Sequence, residues 1–411
     1  MTQFKNIAVA LLMGLLLLAA TSCTQIKSGP PTRALSEQEL VDMLVGSCIQ
    51  ATRGAGSERY IQRIKQVLAE DKEVKLVSVE DLPDDWTVVS PVGVGGGGAW
   101  QHVRERTSQQ ELPRAQDTDL QAIRLLSKHI GKEFKAVLRG EPAGATSTAL
   151  MVAAEMDLPL VDACPCGRCV PEIQQQIPWV VGIPSTPAGL FTRWGDEIII
   201  TKAIDDYRAE DLSRAVAVAS GGGVSVAMNP MSGAQVKRGT IAGNLSEAIL
   251  LGQTIRQARE QGRDPIKALI EVTKGFKLFH GVVIKSDQRG ERGFSWADVE
   301  LQGIREYEGH TYKVFVKNEN IVSWLDDEVD VMSPDYIYNL DPQTGQAITG
   351  GGLGGYPMAR EIFMIGVPAH PRWRTKVGIE VLGPRHFGFD FDYVPIEELQ
   401  KKERRYYDDG I

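Results

Sequence analysis

Three cysteines fall within six residues in the segment Asp162-Ala163-Cys164-Pro165-Cys166-Gly167-Arg168-Cys169-Val170-Pro171-Glu172. Thiolates this close together can hold a soft ion such as zinc or copper(I), with Asp162, Glu172 or a distant histidine completing the shell. Cys166 and Cys169 also read as a C-x-x-C pair, which outside the cytosol is a disulfide or a redox couple. A disulfide beside one buried thiol is the plainer alternative. Cys48, isolated in sequence, either pairs with the odd thiol or belongs to the core. Two carboxylates, Glu141 and Asp162, are expected at the carboxyl ends of consecutive strands, where parallel pairing brings them to one substrate or one metal. Such a pair suits general acid/base work or activation of a water. A surface glutamate and a helix-capping aspartate are the structural alternative.

Gly93-Val94-Gly95-Gly96-Gly97-Gly98 has the spacing of a dinucleotide fingerprint and follows a predicted strand. The acidic residues at the required distance, Asp117 and Asp119, open a predicted helix instead of ending a strand, and no Gly-Lys-Ser/Thr is present. The segment therefore reads as backbone N–H groups around Gly95, Gly96 and Gly97 that hold a polar or anionic ligand, or as a tight turn without one. His102 follows it and is the candidate ligand or base among six histidines, none in His-x-x-x-His spacing. No Gly-x-Ser-x-Gly elbow is present, which argues against an α/β-hydrolase.

These groups need elements to position them. Ser36-Glu37-Gln38-Glu39 is a capping box, so a helix starts at Ser36. From there strand-like runs (Val74 to Val79, Trp86 to Val94, Phe134 to Leu138, Leu158 to Ala163) alternate with helical spacings. This pattern predicts an α/β domain over residues 36–274, a largely parallel sheet with helices on both faces. Strand signals then crowd together, predicting a β-rich C-terminal domain over 275–385 and a return segment and tail over 386–411. At 411 residues, with 43% hydrophobic and 24% charged residues, the composition excludes a disordered chain and a multi-span membrane protein. A net charge of −8 without a long basic run argues against nucleic-acid binding.

Lys5 precedes an apolar run from Ile7 to Ala20 and then Thr21-Ser22-Cys23, which reads as a signal peptide over residues 1–22. The small residues before Cys23 resemble the lipobox of bacterial lipoproteins, so Cys23 is the expected lipidation site and 23–35 a tether. The expectation is an exported cell-envelope lipoprotein, on the periplasmic or outer-membrane side in a Gram-negative cell, held to the membrane by an N-terminal lipid.

Several segments together resemble the S-methyl thiohydantoin desulfurase family. They are Leu158-Pro-Leu-Val-Asp162 with Gly167-Arg168 and Pro171-Glu172, Asn229-Pro230-Met231-Ser232-Gly233-Ala234 through Lys237, Leu245-Ser246-Glu247-Ala248-Ile249, Asn318-Glu319, Pro334-Asp335, and Gly383-Pro384-Arg385-His386-Phe387-Gly388-Phe389. Cys164 stands where that family carries a second acidic residue. The resemblance, spanning about residues 36 to 396, implies an α/β N-terminal domain, a β-rich C-terminal domain and hydrolytic removal of a methylthio group from a hydantoin-like ring. In that reading Glu141 activates water, Asp162 contacts the ring and Arg168 stabilises charge, with Met231 and Lys237 joining Gly95, Gly96, Gly97 and His102 as substrate contacts. Cys164, Cys166 and Cys169 are the metal ligands if zinc assists. The competing expectations are a non-catalytic envelope lipoprotein that binds a small ligand or soft metal through those cysteines, and a thiol-redox protein. A homo-oligomer is left open.

Overall fold

The computed structural model describes residues 29–53, 56–95, 103, 105–106, 112–348 and 355–407, with side chains as far as residue 401. The apolar N-terminal run, Cys23, Gly96, Gly97 and His102 lie outside the described residues. No helix among the described residues is long and apolar enough to cross a membrane.

The capping box forms. Ser36 accepts a bond from the Glu39 N–H, and the Glu39 carboxylate accepts from the Ser36 N–H, satisfying donors that a helix start otherwise leaves open. The chain runs β1 (Thr32–Ala34), α1 (Glu37–Gln50), α2 (Glu58–Leu68), β2 (Lys75–Val77), β3 (Thr87–Gly95), α3 (Thr118–Ile130), β4 (Ala136–Val137), α4 (Gly144–Met156), β5 (Leu160–Val161) and β6 (Ala163–Cys164). It continues with α5 (Ile177–Val180), β7 (Ala188–Thr192), β8 (Glu197–Ile200), α6 (Asp206–Ala219), β9 (Gly223–Ser232), α7 (Gly233–Gly239), β10 (Ile241–Ala242), α8 (Asn244–Glu260) and α9 (Pro265–Thr273).

Eight of these strands form one sheet in the order β1-β2-β5-β4-β3-β9-β7-β8. The sheet is mixed, not largely parallel. β2, β5, β4 and β3 are parallel neighbours, whereas β3–β9, β9–β7 and β7–β8 are antiparallel. Connection length accounts for part of this pattern. Helix-bearing crossovers join β3 to β4 and β4 to β5, but only a tight turn separates β7 from β8, and a turn that short reverses the chain. One face is covered by α1, α3 and α4, whose Leu40, Met43, Leu44, Ile123, Leu126, Ala149 and Leu150 bury against Val89, Val137 and Leu160.

The rest of the chain forms a curled antiparallel sheet from β11 (Phe276–Glu291), β12 (Phe294–Gly303), β13 (Thr311–Lys317), β14 (Glu319–Leu325), β15 (Glu328–Met332), β16 (Tyr336–Leu340) and β17 (Glu361–Val367), in the order β15-β14-β13-β12-β11-β17-β16. Alternating side chains of β13 point into its core, where Phe279 stacks on Tyr312 at 4.9 Å. Two hairpin tips, at Arg292–Gly293 and at Asn318, reach back to the first sheet. There Asn320 donates its N–H to Thr52 at 2.8 Å, just beyond the end of α1.

Candidate functional site

A cavity of about 260 Å³ lies where the strand ends of the first sheet meet the hairpin tips of the second. Gly93–Gly95 of β3, Gly140 and Glu141 after β4, Cys166 and Pro171 after β6, and Arg214 of α6 line one side. Gly293, Asn318 and Glu319 line the other, and Arg53 stands beside them. Close packing shapes the loop that carries Glu141. A Cβ on Gly140 would sit 1.8 Å from Val92 Cγ1, so only glycine lets β4 leave the sheet there. Ser47 of α1 then holds the following turn, accepting from Ala143 N–H at 2.6 Å and bonding Thr146 at 2.7 Å.

The charges in the cavity are unevenly balanced. Glu141 accepts from the Val170 N–H at 3.3 Å, and the Cys169 side chain beside it favours its ionised form. Glu319 is 1% exposed; its Oε1 lies 3.6 Å from Arg53 Nη1, and its Oε2 has no partner among the described residues. Burial pushes the Glu319 carboxyl up to about 8, against the pull of Arg53 and with a further push from Glu141. Burial also raises Glu141, opposed by Arg53 and the Val170 N–H. Two carboxyl groups thus share one arginine, so the pair retains a proton near neutrality.

The walls are braced by ions that are fully engaged. Arg214 donates to Glu210 at 2.7 Å, to the Gly95 carbonyl at 2.6 Å and to the Pro171 carbonyl at 2.9 Å, and stacks over Phe294. Burial works against ionised Glu172, but His386 at 2.9 Å and Lys317 hold its carboxyl down to about 2.

A family model described as "S-Me-THD-like, N-terminal domain" matches residues 38–202, and one described as "S-Me-THD-like, C-terminal domain" matches 204–396. The chain belongs to this S-Me-THD-like family. The crystal structure of a protein from Chromobacterium violaceum has the same fold, with a TM-score of 0.68 and 21% identity over 89% of this chain and 100% of that one. No curated protein matches.

Within this S-Me-THD-like frame the sequence-predicted residues separate. Glu141, Gly95 and Cys166 line the cavity. Asp162 does not: it caps α8, accepting from the Leu245 and Ser246 N–H groups at 2.9 and 3.0 Å and from the Ser246 hydroxyl at 2.5 Å. Its strand end is aimed at a helix N-terminus instead of at a ligand. Arg168 is fully buried and donates to the carbonyls of Pro334, Asp335 and Asn320 at 2.8, 3.0 and 3.2 Å, which makes it a brace between the sheets and not a charge stabiliser in the cavity. Met231 is core beside Val88 and Val161, and Lys237 pairs with Asp84 at 2.7 Å on the surface.

Cys48, Cys164, Cys166 and Cys169 are all free and buried. The Cys166 and Cys164 thiols both face the Gly140 carbonyl, at 3.3 and 3.9 Å, while Cys169 turns to the Pro142 carbonyl at 3.5 Å. Among the described residues no three of His, Cys, Asp and Glu converge as a metal site, so a four-ligand zinc centre built on the three thiols does not fit this arrangement. Sequence reasoning assigned no role to Arg53 and Glu319. The only signal for Glu319 was its place in a family-like segment, with nothing local to mark it as functional.

Proposed function

We propose that the chain is a hydrolase of a hydantoin-like cyclic amide or thio-imidate, with Glu141 and Glu319 as its proton-handling pair. The observation that carries this reading is the convergence of two carboxyl groups, a buried one and a half-buried one from separate sheets, on one cavity, with Arg53 3.6 Å from Glu319 and attracting the Glu141 carboxylate. The cavity is small beside the roughly 300–1,000 Å³ of drug-sized sites, which favours a compact ring as substrate. Family membership directs the choice to a ring carbon bearing a methylthio group.

In the proposed reaction the Glu141 carboxylate takes a proton from water as its oxygen bonds to that carbon. The C=N electrons move to the ring nitrogen, which is protonated by Glu319. The C–S bond then breaks, methanethiol leaves with the proton held on Glu141, and the remaining hydroxyl proton returns to Glu319 as the ring carbonyl forms. Both glutamates are regenerated, and Arg53 offsets the charge that accumulates between them.

The test is release of methanethiol from an S-methyl thiohydantoin by the purified protein. Glu141→Gln should lower the rate by about 10²- to 10⁴-fold with an unchanged circular-dichroism spectrum. Wild-type protein that binds the ring without releasing thiol would favour a ligand-binding lipoprotein, and an undiminished Glu141→Gln rate would remove Glu141 from the chemistry. We place the protein at the cell envelope through a lipid on Cys23. Cys23→Ala should move it from the membrane to the soluble fraction, and retention in the membrane would refute the anchor.

A further inference from the structure

Two amide side chains in the cavity wall keep polar atoms that the proposed proton transfers do not use. Asn318 sits at the tip of the β13–β14 hairpin with a φ of 56°, a left-handed conformation that asparagine tolerates better than most residues. The neighbouring hairpin pins it there. Its backbone N–H donates to the Ser295 carbonyl at 2.6 Å, and its Oδ1 accepts from the Ser295 N–H at 2.8 Å. With Oδ1 committed, the half-buried side chain still has its Nδ2 donors to offer, for Nδ2 has no partner among the described residues. Ser295 and Asn318 both line the cavity, beside Glu319.

The first sheet supplies the complement. Gln176 lines the same cavity and is 5% exposed. It immediately precedes α5, yet its side chain does not cap that helix. The amide lies instead against Met228 of β9, another lining residue, whose sulfur accepts from Nε2 at 3.7 Å. A thioether can only accept, so this contact orients the amide and makes Oε1 the free end. That oxygen is buried and has no partner among the described residues. The adjacent Gln175 spends both ends of its amide, accepting from the Glu172 N–H and donating to the Val381 carbonyl, each at 2.9 Å. An acceptor buried without a donor lowers stability, and a ligand N–H is the group that would satisfy it here.

We propose that Asn318 and Gln176 read the amide groups of the substrate ring, Asn318 Nδ2 donating to a ring carbonyl and Gln176 Oε1 accepting from a ring N–H. The inference rests on the hydantoin-like ring proposed above and specifies which such rings the site takes. In that ring the nitrogen protonated by Glu319 lies between the methylthio carbon and a carbonyl. Adjacent residues, Glu319 and Asn318, thus serve adjacent ring positions. The other ring nitrogen flanks the methylthio carbon on its far side and carries the N–H that reaches Gln176. Both contacts are between neutral groups, and they position the reacting carbon for the water at Glu141 without moving a proton themselves. The site therefore selects rings unsubstituted at that second nitrogen. A methyl group there removes the donor, leaves Oε1 unpaired and adds bulk in a cavity of about 260 Å³.

The test is isothermal titration of the purified protein with hydantoin and with 1-methylhydantoin, which carry no methylthio group to lose. Wild-type protein should bind hydantoin about 10- to 100-fold more tightly than its N-methyl analogue. Gln176→Met should weaken hydantoin to the level of 1-methylhydantoin and so erase the preference. Asn318→Gly keeps the left-handed tip, and Asn318→Asp keeps the acceptor for the Ser295 N–H. Each should weaken both ligands by at least about 10-fold and leave the preference in place, a separation that general loosening of the site would not produce. Equal binding of the two ligands by wild-type protein overturns the proposal, and that measurement needs no variant to fold. A preference that survives Gln176→Met, or full affinity in both folded Asn318 variants, overturns it as well. The outcome is separable from hydrolysis. A preference erased by Gln176→Met in a protein that releases no methanethiol upholds the pair and refutes the reaction, whereas methanethiol release without the preference does the reverse.

Discussion

Glu319→Gln tests the electrostatics of the cavity without any substrate. In the folded protein burial lifts the Glu319 carboxyl from 4.5 to about 8. Between those values the native state holds a proton that the unfolded chain has released. Stability therefore falls as pH rises through this window, at about 1.4 kcal/mol per pH unit. The loss reaches on the order of 3 kcal/mol at neutral pH and levels off once the folded-state carboxyl has also ionised. Glutamine is nearly isosteric with the protonated acid and does not titrate, so it escapes the penalty. Urea midpoints of the two proteins should thus nearly coincide at about pH 5 and separate steadily toward about pH 8, with the variant the more stable. Parallel curves across that range would mean that Glu319 is ionised in the folded state, and its role as proton donor would go with it. In the turnover assay the same substitution should lower the rate by about 10²- to 10⁴-fold and remove the loss of activity above about pH 8.

Three further outcomes follow from the same geometry. Asp162→Ala should cost about 0.5–2 kcal/mol through the lost cap on α8 and leave turnover unchanged, read by urea unfolding and the thiol assay together. Gly140→Ala should destabilise by about 1–3 kcal/mol, because its methyl would meet Val92 Cγ1 at 1.8 Å; a neutral urea midpoint would refute that crowding. Glu172 is held down to about 2, so its stabilisation is complete above 4.5 and disappears as pH falls toward 2. Lys317→Met should accordingly move the acid-unfolding midpoint, followed by tryptophan fluorescence, to higher pH.

Local signals were the most legible in the sequence. The capping box at Ser36 and Glu39, the alternation of strands with helices, the crowded strands after residue 275 and the loop position of Glu141 are all written within a few residues of where they act. Strand direction was less so, because short buried runs look alike whichever way they pair, and the β7–β8 hairpin that turns the order antiparallel was not recognised. The site was partly hidden for the same physical reason. Asp162 ends a strand, as expected, but its distant partner, the start of α8, decides that it caps and does not catalyse. Arg168 carries the charge that a reaction needs, yet three backbone carbonyls remote in sequence make it a brace. Arg53 and Glu319 become a pair only when a hairpin of the second sheet folds onto the end of α1.

The base candidate falls in the region of the first family model and the acid candidate in that of the second. Neither region produced alone can carry both halves of a proton relay. A chimera joining front and back portions of two relatives should work only where the donor's hairpin is long enough to bring its glutamate to the recipient's arginine. Co-expressed fragments offer a direct complementation assay, since chemistry would return only as the pieces reassemble.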